Sequence, residues 1–502
     1  MLLNRLKYII VLFALTTFLG SCKKWMDLKP NDGIIREDFW KTKEDVQASV
    51  VGCYASLLGT PSGTESHAPA ELLFLWGELR GDMLASFLGT RDNEFEIMNV
   101  NTTAANTITN WRPIYRTINY CNTVLRFAPA VRGLDNTLTQ EQLDAWLAEV
   151  KTLRALMYFY LVRSFKEVPL KLDPTTSDDE IVTLPKSTEE TVIAQILKDL
   201  GEAESKAVLT YGNNITDKGR ITKYAINAIQ ADVLLWSSNY PAAIEAANKV
   251  IDSRRFGLVQ GSLGGWFNSL YVVGNSVESI FELQFNVQKL NPFYSMFAVG
   301  NKRFIAAQKV MDAVYTTDAS SDTTRDIRGD GAAVQASTST IWKYVGRNYD
   351  DLRALDESYA NWIFYRYADV LLIKAEALAQ RASGNDLQQA LDIVYSVRTR
   401  ARALPATDEA PPVTDAHGIS MFILNERSRE FMYEGKRWYD LLRNARRSGN
   451  LNILKDLVAS TVPANMVVSA QAKMDDPYSH FFPIYEYEIQ TNKQLIQNPF
   501  YR

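Results

Sequence analysis

Glu426-Arg427-Ser428-Arg429-Glu430-Phe431-Met432-Tyr433-Glu434-Gly435-Lys436-Arg437-Trp438-Tyr439-Asp440-Leu441-Leu442-Arg443 is the most distinctive run in the chain. Its charges and bulky apolar residues recur at helical spacing, which predicts a helix from Met421 to Arg446. On that helix Phe431, Gly435, Trp438 and Leu442 share a face. Glu426 with Arg429, Glu434 with Arg437, and Asp440 with Arg443 stand three residues apart as ion pairs. A glycine inside a helix costs about 1 kcal/mol relative to alanine, so Gly435 predicts close approach of another backbone. The run reads as a structural clasp. Repeated glutamates on helices can hold two metals, but such sites also need Glu-x-x-His, and His67, His417 and His480 all lie elsewhere.

Outward from this run, helical periodicity dominates: Lys43 to Leu58, Trp111 to Phe127, Gln140 to Ser164, Thr188 to Ala207, Thr222 to Ser238, Pro241 to Ser253, Tyr367 to Ala382 and Leu387 to Ala403. Strands are few, at Glu278 to Phe285, Ile341 to Tyr344 and Ile363 to Tyr365. Between Gly257 and Ala360 the chain reads mainly as long loop, and loops of that length inside a domain are more often binding surface than filler. Two helix pairs carry small residues at similar offsets, Ala231 with Ala243 and Ala377 with Ala390, as tetratricopeptide pairs do. The expected fold is mainly α, a tetratricopeptide-like scaffold of helix pairs with a loop-rich C-terminal region containing a few short strands.

The N-terminus reads as an export signal. Arg5 and Lys7 precede an apolar run from Tyr8 to Phe18 and then Leu19-Gly20-Ser21-Cys22. A helix of that run is roughly 18 Å long, too short for a hydrocarbon core of about 30 Å. Cysteine after Leu-Gly-Ser resembles the lipobox of bacterial lipoproteins, so residues 1–21 are expected to be a signal peptide, Cys22 a lipidation site, and residues 22–35 a tether. Removing Arg5 and Lys7 takes the formal charge from -4 to two units lower, so the remainder is mildly acidic. No basic cluster suits nucleic acid. Cys53 and Cys121 are too few for a disulfide-built fold; both fall in predicted helices and are expected to be free buried thiols.

The opening run resembles the E-R-x-x-E-(x)3-E-G-x-R-W-x-D-L-x-R signature of the SusD/RagB-like lipoproteins of Bacteroidetes. Further resemblance lies in Asp38-Phe39-Trp40, in Arg154-Ala155-Leu156 through Val168-Pro169-Leu170, and in Lys218-Gly219-Arg220-Ile221-Thr222-Lys223. Tyr365-Arg366-Tyr367-Ala368-Asp369 onward and the segment from Asn492 to Tyr501 complete it. The resemblance implies a helical N-terminal region over 36–256 and a loop-rich and helical C-terminal region over 257–502, forming one compact body. It also implies a nutrient-binding protein, not an enzyme. Such a protein would face outward from the outer membrane and deliver oligosaccharides, polysaccharides or, in some members, peptides to a SusC-like TonB-dependent transporter. Three departures are the Pro483-Ile484-Tyr485 triplet, where Pro-Ile-Pro is usual, Phe500, where a glycine is usual, and Lys23-Lys24 after Cys22, where acidic residues often follow.

Sugar sites combine aromatic platforms with hydrogen-bonding rims. Binding through loops, as the resemblance implies, selects Arg80, Asp82, Asn93 and Phe95 in one group and Trp266, Tyr271, Tyr294 and Trp342 in another. Arg80 and Asp82 could equally form a buried ion pair that fixes their loop. No cofactor and no catalytic residues are expected, while loop carboxylates leave a structural calcium ion open. A glycoside hydrolase would need two carboxylates across a cleft, and no spacing singles out a pair. Tetratricopeptide grooves bind peptides elsewhere, which makes a pure interaction protein the other alternative.

Overall fold

Helix-start chemistry sets where many of the elements begin. The computed structural model describes residues 39–502 apart from 60–66, 178–179, 263, 299, 316–325, 405–406 and 408. The expected signal peptide, Cys22, the tether and Asp38 lie outside the described residues. The chain runs through α1 (Lys43–Ser56), α2 (Pro69–Glu78), β1 (Leu84–Ser86), α3 (Arg112–Val131), α4 (Gln140–Phe165), α5 (Glu189–Glu204), α6 (Lys223–Trp236) and α7 (Tyr240–Ile251). It continues through β2 (Ser279–Leu283), β3 (Phe304–Ala306), β4 (Val334–Gln335), β5 (Thr340–Ile341), β6 (Trp362–Arg366), α8 (Tyr367–Arg381), α9 (Asp386–Arg400), α10 (Ala416–Glu430) and α11 (Arg437–Ser448). Thr42 with Asp45 and Thr139 with Gln142 make capping boxes at α1 and α4, satisfying backbone donors that the first helical turn leaves unpaired. Thr188 and Asn239 cap α5 and α7 more simply, each accepting from one backbone N–H, of Thr191 and Ala242.

The fold is mainly α, as the periodicity predicts. From Thr152 to Phe165 every residue of α4 is buried, the mark of a helix enclosed on all sides. Both expected helix pairs form: α6 packs on α7, α7 on α8, and α8 on α9. Ala231, Ala243, Ala377 and Ala390 in these four helices are fully buried, so no side chain holds the helices apart there.

The strands make three two-stranded antiparallel sheets, β1 with β3, β2 with β6, and β4 with β5. The expected strand from Ile341 to Tyr344 is shorter than its pattern: Trp342 N–H still reaches across to the Ala333 carbonyl, but Val345 N–H and Gly346 N–H both turn back onto the Trp342 carbonyl and end the ladder. Residues 257–360 are less open than expected: helical turns at Gly265–Phe267, Asn268–Val273 and Phe293–Phe297 bury Trp266, Tyr271 and Phe293.

The helix expected from Met421 to Arg446 is two helices. Residues 431–436 break it, with Tyr433 and Gly435 in left-handed backbone at φ 62° and 71°. The apolar period persists across the break because both helices face the same core, which is why spacing alone reads through it.

Candidate functional site

Arg366 closes β6 and caps α8, which sets its guanidinium among carboxylates from distant segments. It donates to both oxygens of Glu434 at 3.0 and 3.2 Å, to the Glu430 carbonyl at 2.6 Å, and pairs with Glu278 and the Glu430 carboxylate. Arg328 reaches Glu426 at 2.6 Å and Glu430 at 2.8 Å, Arg398 reaches Glu426 at 2.9 Å, and Lys343 reaches Glu434 at 2.9 Å. Arg400 joins Glu278 at 3.1 Å and also holds Glu430. All of these side chains are buried. Burial alone would raise the Glu430 carboxyl, but Arg400, Arg366 and Arg328 overcome it and hold the group well below the carboxylate range. Against the same burial, Arg366 and Lys343 draw Glu434 down to about 2. Carboxyls so lowered contribute stability fully above the unfolded value near 4.5, and lose it as pH falls toward the folded value.

The clasp therefore exists, with different partners from those expected. Glu426 with Arg429 at 3.4 Å and Asp440 with Arg443 at 2.8 Å pair within their helices. Glu434 and Arg437 do not pair, since the break at 431–436 turns them apart; Arg437 instead grips Asp82 at 2.7 and 2.9 Å. Gly435 is needed for close approach, though outside any helix. A Cβ added to Gly77 of α2 would lie 1.8 Å from the Gly435 carbonyl oxygen, so two backbones touch there.

Glu78 sits beside this contact, and its Oε1 accepts from the N–H groups of Gly435 at 2.8 Å and Lys436 at 3.2 Å. Its Oε2 is buried without a hydrogen-bond partner. Burial outweighs those two hydrogen bonds and the nearby Arg437 and Lys343, pushing the carboxyl up to about 8. The unfolded chain releases this proton near 4.5 and the folded chain keeps it to about 8, so the group removes stability as pH rises across that window. Glu78→Gln keeps the accepting oxygen and cannot ionise. Thermal melts at pH 5 and 8.5 should show the variant gaining on the native chain at the higher pH; an equal difference at both would refute the assignment.

The structure places five of the eight sequence-selected residues in the interior. Arg80 lies between the rings of Trp438 and Phe482, 4.4 and 3.9 Å from their centroids, and donates to the His480 carbonyl at 2.6 Å. Asp82 pairs with Arg437 and Lys309, not with Arg80. Tyr271 donates to Glu434 at 2.8 Å, and the Trp266 ring lies 5.4 Å from the Arg400 guanidinium. Trp342 donates to the Asn348 carbonyl at 2.7 Å. These groups are committed to the scaffold and present almost no surface. Asn93 and Tyr294 are half-buried, and Phe95 is 45% exposed.

Those three stand on two short helices, Asp92–Met98 and Phe293–Phe297, that a single arginine ties together. Arg303 pairs with Glu71 of α2 at 2.9 Å and with Glu94, between Asn93 and Phe95. Its carbonyl accepts from Phe87 N–H at 3.2 Å and Thr90 Oγ1, while its own N–H donates to Met296 of the turn that carries Tyr294. Lys302 reaches Thr340 Oγ1 at 2.7 Å and lies 5.4 Å from the Phe87 ring. Around this braced arginine Phe87 is 38%, Leu88 78% and Phe95 45% exposed. Exposed apolar side chains on a braced loop can meet the C–H face of a sugar. Among the described residues, no three His, Cys, Asp or Glu side chains gather as a metal site.

A family model described as the SusD family matches residues 278–501, and one described as starch-binding associating with outer membrane matches residues 77–235. The chain belongs to the SusD family. Among curated relatives, it is similar to the SusD-like protein P38 of Formosa agariphila, 26% identical over 88% of this chain and 92% of that one. It is also similar to the SusD-like protein P25 of the same organism, 24% identical over 99% and 98% of the two chains. A SusD superfamily protein from Bacteroides vulgatus has the same fold, with a TM-score of 0.73 at 20% identity over 92% of this chain and all 100% of that one. A laminarin-binding SusD-like protein superposes with a TM-score of 0.66 at 19% identity, over 91% and 99%. The SusD signature in this chain is thus the buried ion clasp, remote from solvent. No helix among the described residues is long and apolar enough to cross a membrane.

Sequence reading passed over Phe87, Leu88 and Arg303. An adjacent apolar pair between Ser86 and Gly89 was the available signal for the first two. Arg303 gives none, since its side-chain partners lie more than 200 positions away. Cys53 and Cys121 are buried free thiols, and the hydrogen bond to Cys121, with burial behind it, pushes the Cys53 thiol well up.

Proposed function

We propose that this SusD-family chain captures an oligosaccharide or polysaccharide at the outer cell surface and passes it to a SusC-like TonB-dependent transporter, held to the outer membrane by a lipid on Cys22. The observation that carries the reading is the set of exposed or half-buried side chains Phe87, Leu88, Phe95, Asn93 and Tyr294 on segments that the buried Arg303 ties together with Glu71 and Glu94. A preformed apolar platform with polar rims suits a ligand that is held and released, because little ordering entropy is spent on binding. The buried clasp gives the loops a stiff support without taking part in recognition. Family membership supports a binding role over a hydrolytic one.

Copurification from detergent-solubilised outer membranes tests the partner. A large β-barrel protein should be recovered with the chain; recovery of the chain alone would refute the transporter. Substituting Cys22→Ala should release the protein from the membrane fraction, and continued membrane retention would refute the anchor.

A further inference from the structure

A small cavity lies where α4 and α6 meet β6, α8, α10 and α11, and so joins the stretches that the two family models match. It measures about 20 Å³, room for a single water-sized species. The charged groups of its lining pair as Arg163 with Asp232 at 3.3 Å, Lys436 with Asp369 at 2.6 Å, and Arg427 and Arg443 both with Asp440 at 2.8 Å. Four cations therefore face three carboxylates. Arg443 also grips Glu376 at 2.6 and 2.8 Å, but Glu376 is shared with Arg447 at 2.8 Å, so this further carboxylate does not remove the excess. Burial pushes the Asp369 carboxyl up, against the pull of Lys436, which leaves the lining more positive and not less.

Two of these cations keep donors in reserve. Arg163 Nε and Arg427 Nη1 are buried without a hydrogen-bond partner among the described residues, on side chains that are 6% and 3% exposed. The ring centroids of Phe159, Tyr160 and Tyr439 lie 3.9, 4.7 and 4.3 Å from the Arg163 guanidinium, and that of Phe431 lies 4.8 Å from the Arg427 guanidinium. Stacking of this kind covers the face of a guanidinium and leaves its in-plane N–H groups unsatisfied.

We infer that the cavity binds one small monovalent anion of the chloride type, a fixed counter-charge that accepts from Arg163 and Arg427 and ties α4 and α6 to the C-terminal half of the chain. An anion only accepts, which suits two orphaned donors, and its single charge matches the excess. A water would fill the space and accept from both donors, yet leave the positive charge uncompensated where the dielectric is low.

The test melts the purified native chain in sodium gluconate, sodium chloride and sodium bromide at equal ionic strength. Chloride and bromide should raise the midpoint by about 1 °C or more over gluconate and then saturate, as binding to the folded chain does. Crystals grown in bromide should show an anomalous peak within hydrogen-bonding reach of both Arg163 and Arg427. Arg427→Gln removes one donor and the excess charge while Asp440 stays paired with Arg443, and it should lose the halide shift. Equal melting in the three salts, or a cavity without a bromide peak, would overturn the inference and leave the space to water. A halide shift of native size in Arg427→Gln would overturn it too, by placing the ion elsewhere. Should that variant fail to fold, the native melts and the bromide peak decide alone.

Discussion

Arg366→Met should lower the stability of the folded chain by about 3–5 kcal/mol, the cost of leaving buried carboxylates without their cation. Arg366 touches Glu278, Glu430 and Glu434 at once, and none of the four has measurable exposure. Loss of one cation leaves Lys343, Arg400 and an Arg328 already shared with Asp326 and Glu426 to balance three carboxylates in a place water does not reach. Arg366→Lys should recover only part of the loss, since an ammonium cannot reproduce the fork that spans Glu434 and the Glu430 carbonyl. Pairing Arg366→Met with Glu430→Gln should be less damaging than the single change, because one uncompensated charge is removed with its partner. Denaturant unfolding monitored by tryptophan fluorescence measures all three; a loss below about 1 kcal/mol for Arg366→Met would show that the clasp is not a support.

Gly77→Ala should destabilise by about 3 kcal/mol or more, although the same change in an ordinary exposed helix stabilises by up to about 1 kcal/mol. The sign is decided by the Gly435 carbonyl, which stands 1.8 Å from where the new methyl would sit and is backbone, not a flexible side chain. Accommodation requires α2 to move away from residues 431–436. Such a shift also strains the Glu78 hydrogen bonds to Gly435 and Lys436. Gly52→Ala, in the open stretch of α1, serves as the control and should be neutral or stabilising. A Gly77→Ala chain that melts with the native one would mean that the two backbones do not meet.

Much of the fold was legible because its signals are local. Thr42, Thr139, Thr188 and Asn239 announce helix starts, and Ala231 with Ala243 announces a close pair, from residues a few positions apart. The break at 431–436 was not, since a left-handed Tyr433 leaves no mark in an apolar period that continues on both sides. The site was less legible still. Trp266, Tyr271 and Trp342 read in sequence as loop aromatics, yet their loops fold inward, where Trp266 and Tyr271 line the clasp and Trp342 closes its own turn. What turns them inward is a set of ion pairs between residues dozens to hundreds of positions apart, such as Asp82 with Arg437 and Glu278 with Arg366. The exposed loop face is the converse. Phe87 and Leu88 look like core residues in sequence and stay outside because the carbonyls of Arg303 and Lys302 hold the backbone of Phe87 and Gly89 at the rim.

The most direct measurement is a titration of soluble polysaccharides and their oligosaccharides against the native chain and against Phe87→Ala/Phe95→Ala, with unfolding curves and reducing ends recorded for both. A glycan ligand should bind the native chain, bind the loop variant about tenfold or more weakly, and be recovered uncut, while the two proteins unfold together. Equal binding by both proteins, or new reducing ends from the native chain, would contradict a scaffold that only holds its ligand and does so through these loops.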